Sequence, residues 1–119
     1  MRIRGIRGAI TVGEDRREAV VEATTRLLRA ILDRNALEGA EVVSVIFTAT
    51  EDLRSAFPAE AARAVGLHEV PVLCTKELSV DGALPMVVRV LVHAYLDRPM
   101  SDVEHVYLEG ASELRRDLR

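Results

Sequence analysis

A chain of 119 residues with 49% hydrophobic and 29% charged side chains is expected to fold as one domain, residues 1–119, because two halves would each be too small to bury a sufficient core. Its net charge of −3 argues against a nucleic-acid partner, which would select a basic excess on one face. A single cysteine, Cys74, excludes an internal disulfide framework and a multi-cysteine metal site, and fits a reducing cytoplasm.

Residues 1–12 (MRIRGIRGAITV) mix β-branched residues with arginine and glycine and read as a first strand, the two inner glycines implying a bulge or a close backbone approach. From Asp15 to about Asn35, Val20, Ala23, Leu27 and Ile31 recur at helical spacing, and Asp15 with Glu18 has the form of a capping box. Glu41 to Thr48 (EVVSVIFT) is a dense β-branched run, expected to be a strand buried on both faces. Thr50 to Phe57 reads as a polar turn or short helix. Pro58 at a first helical position and Gly66 as a stop then bracket a short second helix. Val70 to Thr75 is a short strand, Asp81–Gly82 a turn, Met86 to Tyr95 a valine-rich strand and His105 to Leu108 a last one, before the charged tail GASELRRDLR. The expected fold class is therefore α/β in the broad sense (α+β): a mixed sheet of about five strands with two main helices. So little helix leaves one sheet face poorly covered, and an oligomer is the simplest cover.

The sequence contains no Gly-rich phosphate loop of the Walker or Rossmann type, no HExxH, no CxxC and no GxSxG. No apolar run is long enough to span a bilayer and no secretory leader pattern opens the chain, so a cytoplasmic protein is expected. His68, His93 and His105 are scattered over three elements, and no metal is expected. Of the 16 basic residues only Lys76 is a lysine, and arginine is the side chain suited to bidentate carboxylate binding. Codon usage or thermal adaptation is sufficient reason for most of these arginines. Arg89 is the sharpest exception: it interrupts VVRVLV, where a cation must be paired with an acid such as Glu77, reach an interface, or meet an anionic ligand. Arg7, between two glycines, is open to a ligand, to a second chain, or to solvent along a sheet edge.

RGIRGAITV, FTATEDLRSAFPAEAAR, the CTKEL segment, GALPMVVRVL and HVYLEGASELRRDL occur in that order over nearly the whole chain. Together they resemble the monofunctional chorismate mutases of the small trimeric α/β class. The resemblance implies a homotrimer, three subunits forming a pseudo-α/β-barrel with an active site at each subunit interface, and rearrangement of chorismate to prephenate without a cofactor. Carried over by position, it implies that Arg7, Glu77, Arg89 and Tyr107 surround the substrate with Cys74 beside them. Phe57, Ala59, Arg63, Val72 and Leu73 then form the wall given by the neighbouring subunit, with Glu60 at the rim, and Leu114 and Arg115 belong to the tail that covers the site. Glu60 stands where the family often has lysine, and Leu73 where threonine is common. An imine deaminase of a related trimeric fold and a noncatalytic trimeric binder of small carboxylates are the competing expectations.

Overall fold

The computed structural model describes residues 2–118, with side chains as far as Leu114. Five strands form one mixed sheet: β1 (Ile3–Thr11), β2 (Val42–Ala49), β3 (Val72–Lys76), β4 (Val87–Tyr95) and β5 (Val106–Leu108), in the order β3-β2-β4-β1-β5. The central strand β4 runs antiparallel to both β1 and β2, while β3 and β5 pair parallel at the two edges. The mixed α+β class and the five strands are as expected.

The long helix α1 (Arg17–Arg34) joins β1 to β2, and the short helix α2 (Glu60–Ala64) joins β2 to β3. Helix α1 buries Val20, Ala23, Thr24, Leu27, Leu28 and Ile31, the stripe that its 3.6-residue periodicity dictates. These pack on Ile6, Ile10, Val45, Phe47, Val88, Val90 and Val92 from the sheet. Burial of that stripe stabilises the fold by roughly 25 cal/mol for each Å² of apolar surface removed from water. Gly8 lets the helix come close: a Cβ there would lie 2.8 Å from the Ile31 side chain and 3.1 Å from the Val106 carbonyl oxygen. Asn35 ends the helix, fully buried, its amide donating to the Ile31 and Glu104 carbonyls and accepting from the Glu104 N–H.

Several sequence-based expectations are corrected. The Asp15–Glu18 capping box does not form, because Arg16 is the N-cap residue and makes no side-chain cap. Asp15 instead accepts from the Arg54 and Ser55 backbone N–H groups and the Ser55 hydroxyl, three donors from a distant loop against the one or two a helix end offers. The Ser55 hydroxyl, followed by the backbone donors, holds the Asp15 carboxyl below its ordinary range. Within one chain β2 is not covered on both sides: Val42, Val45 and Phe47 are buried, but Ser44, Ile46 and Thr48 are only half-buried. Helix α2 starts at Glu60, two residues after Pro58, and Gly66 does end that region, at φ +84°. The third strand is Val72–Lys76 and the last begins at Val106.

The sheet thus has a helix-covered face and an open face. The 3-10 helix Glu109–Leu118 reaches the open face at one end, where Ala111 and Leu114 pack with Ala9, Leu84, Val87 and Tyr107. No helix of the described chain is long and apolar enough to cross a membrane.

Candidate active site

Strand register assembles the site. Successive side chains of a strand point to opposite faces, so residues level with one another on paired strands form rows across one face. Thr75, Thr48, Arg89, Ala9 and Tyr107 are such a row, running from β3 to β5 across the open face. Leu73, Ile46, Leu91 and Arg7 are the next. Glu77 follows β3, fixed by its N–H to the Ala49 carbonyl. Arg7, Ile46, Thr48, Glu77, Arg89, Leu91 and Tyr107 line a cavity of about 330 Å³.

Arg89 stands in the middle. Its Nε lies 3.0 Å from Glu77 Oε2, so the pair is an ion pair by distance. The carboxylate nevertheless sits outside hydrogen-bonding geometry, and the buried Nε–H has no acceptor among the described residues. Both observations hold: the charges attract, while the directional donor remains unused. The Arg89 side chain is 40% exposed and that of Glu77 24%, so solvent screens the pair only in part. Glu77 Oε2 also accepts from the Thr48 hydroxyl at 2.5 Å. Among the described residues no carboxylate pairs with the Arg7 guanidinium.

Tyr107 completes the cation-rich side. Burial pushes its phenol up, more than the charges of Arg7 and Arg89 pull it down, so the hydroxyl remains a donor at neutral pH. Two guanidinium groups and a phenol around a small cavity form a receptor for carboxylate, whereas the nearby acid suits a hydroxyl donor.

The remaining expected residues lie elsewhere on the chain. Cys74 is level with the buried Phe47, on the helix-covered face, so within one chain the pleat sets it opposite Arg89 and not beside it. A larger cleft of about 570 Å³ is lined by Phe57, Pro58, Glu60, Cys74, Thr75 and Lys76, with residues 49–51 and 53–56. Phe57 is 72% exposed, an unusual position for the wholly apolar ring of one of only four Phe and Tyr residues. The Ala59 N–H reaches the Cys74 sulfur, but burial is the larger influence and pushes the thiol up; it is a neutral, weak donor at pH 7. Glu60 pairs with Arg17 of α1, which accounts for its charge. Val72 is half-buried against the core, Leu73 is exposed on the sheet's open side, and Arg63 is exposed on α2. Leu114 packs beside Tyr107. The Arg115 side chain lies outside the described residues.

Two contributors were missed from the sequence. Thr48 is one, although a threonine ending an apolar strand was a signal for it. His105 is the other: its Nδ1 accepts the Arg7 N–H at 2.9 Å, taking the place of a ladder bond at the start of β5. Burial, then the Arg7 charge, lowers the His105 pKa from its usual 6.5, with Glu104 opposing. In the unfolded chain this histidine takes up a proton near pH 6.5, but in the folded protein only at lower pH. Its stabilising contribution is therefore complete above pH 6.5 and is lost as pH falls through the folded value. Melting temperatures measured from pH 7 to pH 5 should fall more steeply in the native protein than in His105→Asn; parallel curves would remove this link between proton binding and the Arg7 anchor.

Among the described residues no three His, Cys, Asp or Glu side chains gather as a metal site would need. The family model described as chorismate mutase type I matches residues 3–118. Chorismate mutase AroH of Thermus thermophilus is 54% identical over 117 residues, 98% of this chain and 96% of that protein. Chorismate mutase AroH of Bacillus subtilis (strain 168) is 42% identical over 119 residues, 99% of this chain and 94% of that protein. The solved structure of a chorismate mutase from Clostridium thermocellum superposes with a TM-score of 0.91 at 40% identity, covering 92% of this chain and 98% of that one.

Proposed function

Because the chain belongs to the chorismate mutase type I family and is a chorismate mutase of aromatic amino acid biosynthesis, we propose that it acts in the cytoplasm as a homotrimer with one site at each subunit boundary. Family membership decides against the imine deaminase and the noncatalytic carboxylate binder. The observation that carries the interface reading is the division of the expected residues. Arg7, Glu77, Arg89 and Tyr107 line one cavity, whereas Phe57, Glu60 and Cys74 line another cleft of the same chain. Half of a site on each of two surfaces is what a closed ring of identical subunits completes, each subunit giving one half to either neighbour. Open-face side chains Leu73, Ile46 and Leu91 lie level across the sheet and supply apolar surface for such a contact.

The reaction is a concerted pericyclic shift: the ether C–O bond of chorismate breaks while a C–C bond forms between the enolpyruvyl carbon and the ring, giving prephenate. No nucleophile or general base is needed. Catalysis then consists of holding a dianion in a compact, reactive conformation and stabilising the charge that develops on the ether oxygen. Arg89 is assigned to that oxygen, its free buried Nε–H being a preorganised donor in a partly dry cavity. Arg7 and Tyr107 are assigned to the side-chain carboxylate, and Glu77, with Cys74 of the neighbouring subunit, to the ring hydroxyl. Phe57 and the wall of Ala59, Val72 and Leu73 pack on the substrate from across the boundary. Arg63 and Arg115 steer the dianion, Leu114 covers it, and Glu60 sits at the rim.

Analytical ultracentrifugation at micromolar concentration tests the assembly. A single species of three times the 13.1 kDa chain mass is expected, and a monomer that rearranges chorismate at full rate would overturn the interface site.

A further inference from the structure

One cluster next to the cavity is absorbed by neither the substrate contacts nor the helix packing. Met86, immediately before β4, has φ +55°, a left-handed conformation unfavourable to a long side chain. Its N–H donates to both carboxylate oxygens of Asp52, at 3.2 and 3.1 Å. The Thr50 hydroxyl donates to Asp52 Oδ1 at 2.5 Å and accepts the Val87 N–H at 3.0 Å, while the Thr50 N–H donates to the Val87 carbonyl. On the other side the Met86 carbonyl accepts the Val12 N–H at 2.8 Å. A strained residue is thus tied to β1 and to the end of β2 just where β4 starts, three positions before Arg89.

We infer that Asp52 is a positioning residue for Arg89: by accepting the Met86 N–H it holds the chain in the left-handed turn that sets the height of β4 against β2, and with it the Arg89 guanidinium against Glu77 and Thr48. Asp52 does not line the Arg89 cavity. It acts through the strand pair whose next members on the open face are Thr48 and Arg89, level with each other on β2 and β4. The clamp also fixes the far end of the 77–86 segment that starts at Glu77, so both charges of the ion pair depend on it. Displacing a preorganised donor by a fraction of its hydrogen-bond length weakens transition-state stabilisation more than ground-state binding.

The inference rests on assigning Arg89 to the site, so Arg89→Ala is measured alongside. Steady-state rates of chorismate consumption are taken for purified Asp52→Ala, Thr50→Val and the double variant Asp52→Ala/Met86→Gly, each below its own melting temperature. Both single variants are expected to lower kcat about tenfold with KM changed less than about twofold. Met86→Gly is expected to restore kcat in the Asp52→Ala background, because glycine adopts the left-handed turn unaided. A role in stability alone would lower the melting temperature and leave kcat of the folded enzyme intact. Unchanged kcat in a folded single variant, or no recovery on adding Met86→Gly, overturns the inference; if Asp52→Ala does not fold, Thr50→Val decides. Full activity in Arg89→Ala would instead remove the site assignment itself.

Discussion

Arg89→Ala should retain folded structure and lose about 10²- to 10³-fold or more in kcat, the cost of one preorganised donor to a developing oxyanion, or on the order of 3 kcal/mol. The structural cost of this change is small by comparison. Arg89 is 40% exposed and its partner Glu77 24%, so the orphaned carboxylate keeps contact with water and with the Thr48 hydroxyl. Catalysis has no such substitute, since the Nε–H is a buried cavity donor that finds no acceptor among the described residues. Arg89→Lys should recover little: an ammonium keeps the charge and three donors, but not the planar fork that fixes the direction of the donor toward the ether oxygen. The check is the initial rate of loss of chorismate's diene absorbance, with prephenate identified as product. A kcat within tenfold of the native value in Arg89→Ala would remove the cation from the mechanism.

The ion pair also resolves an ambiguity left by the sequence. A charge inside VVRVLV had to be paired, interfacial or ligand-bound, and local pattern could not choose. Arg89 is paired with Glu77 and yet keeps a donor free, so a structural partner and a role toward ligand are compatible in one side chain. The pairing joins residues twelve positions apart, one just past the end of β3 and one in β4, and only the pairing of both strands with β2 brings them together.

Legibility differed by the range of the physics involved. Helix α1 could be read because its buried stripe is a local periodicity, and Asn35 could be read as its end. Asp15 could not, because its donors at Arg54 and Ser55 belong to a loop thirty-nine residues away and nothing near Asp15 announces them. The strand runs were visible, but the expectation of a β2 buried on both faces treated a strand with one open face as if its own chain covered both. Nor did the sequence show that Cys74 and Glu77, three residues apart, belong to different surfaces of one chain, since an odd step along a strand changes the face. Met86 gave no warning of its left-handed backbone, since methionine does not signal that conformation as glycine or asparagine would. What escaped the sequence was therefore not the chemistry of the residues but their distribution over two faces, and that distribution is the argument for a site made by two chains.

Two inactive variants should restore one another. Arg89→Ala disables the cavity half of the site. Phe57→Asp disables the wall half, because it sets a carboxylate against a dianionic substrate, and like charges in contact cost several kcal/mol. Phe57 is 72% exposed in the single chain, so the change removes no core packing. Each variant alone is expected to lose on the order of 100-fold in kcat/KM. When both are co-expressed and assort at random in a trimer, roughly a quarter of the boundaries join an intact cavity half from one variant to an intact wall half from the other. Activity should therefore return to roughly a quarter of the native value per site, at near-native KM. A site contained within one chain predicts no recovery, since every chain then carries one lesion. Activity no greater than the average of the two separate variants, in a mixture whose mixed trimers are verified by native mass spectrometry, would refute the shared site while leaving the chorismate mutase assignment intact; recovery would assign the Arg89 cavity and the Phe57 cleft to opposite sides of one subunit boundary.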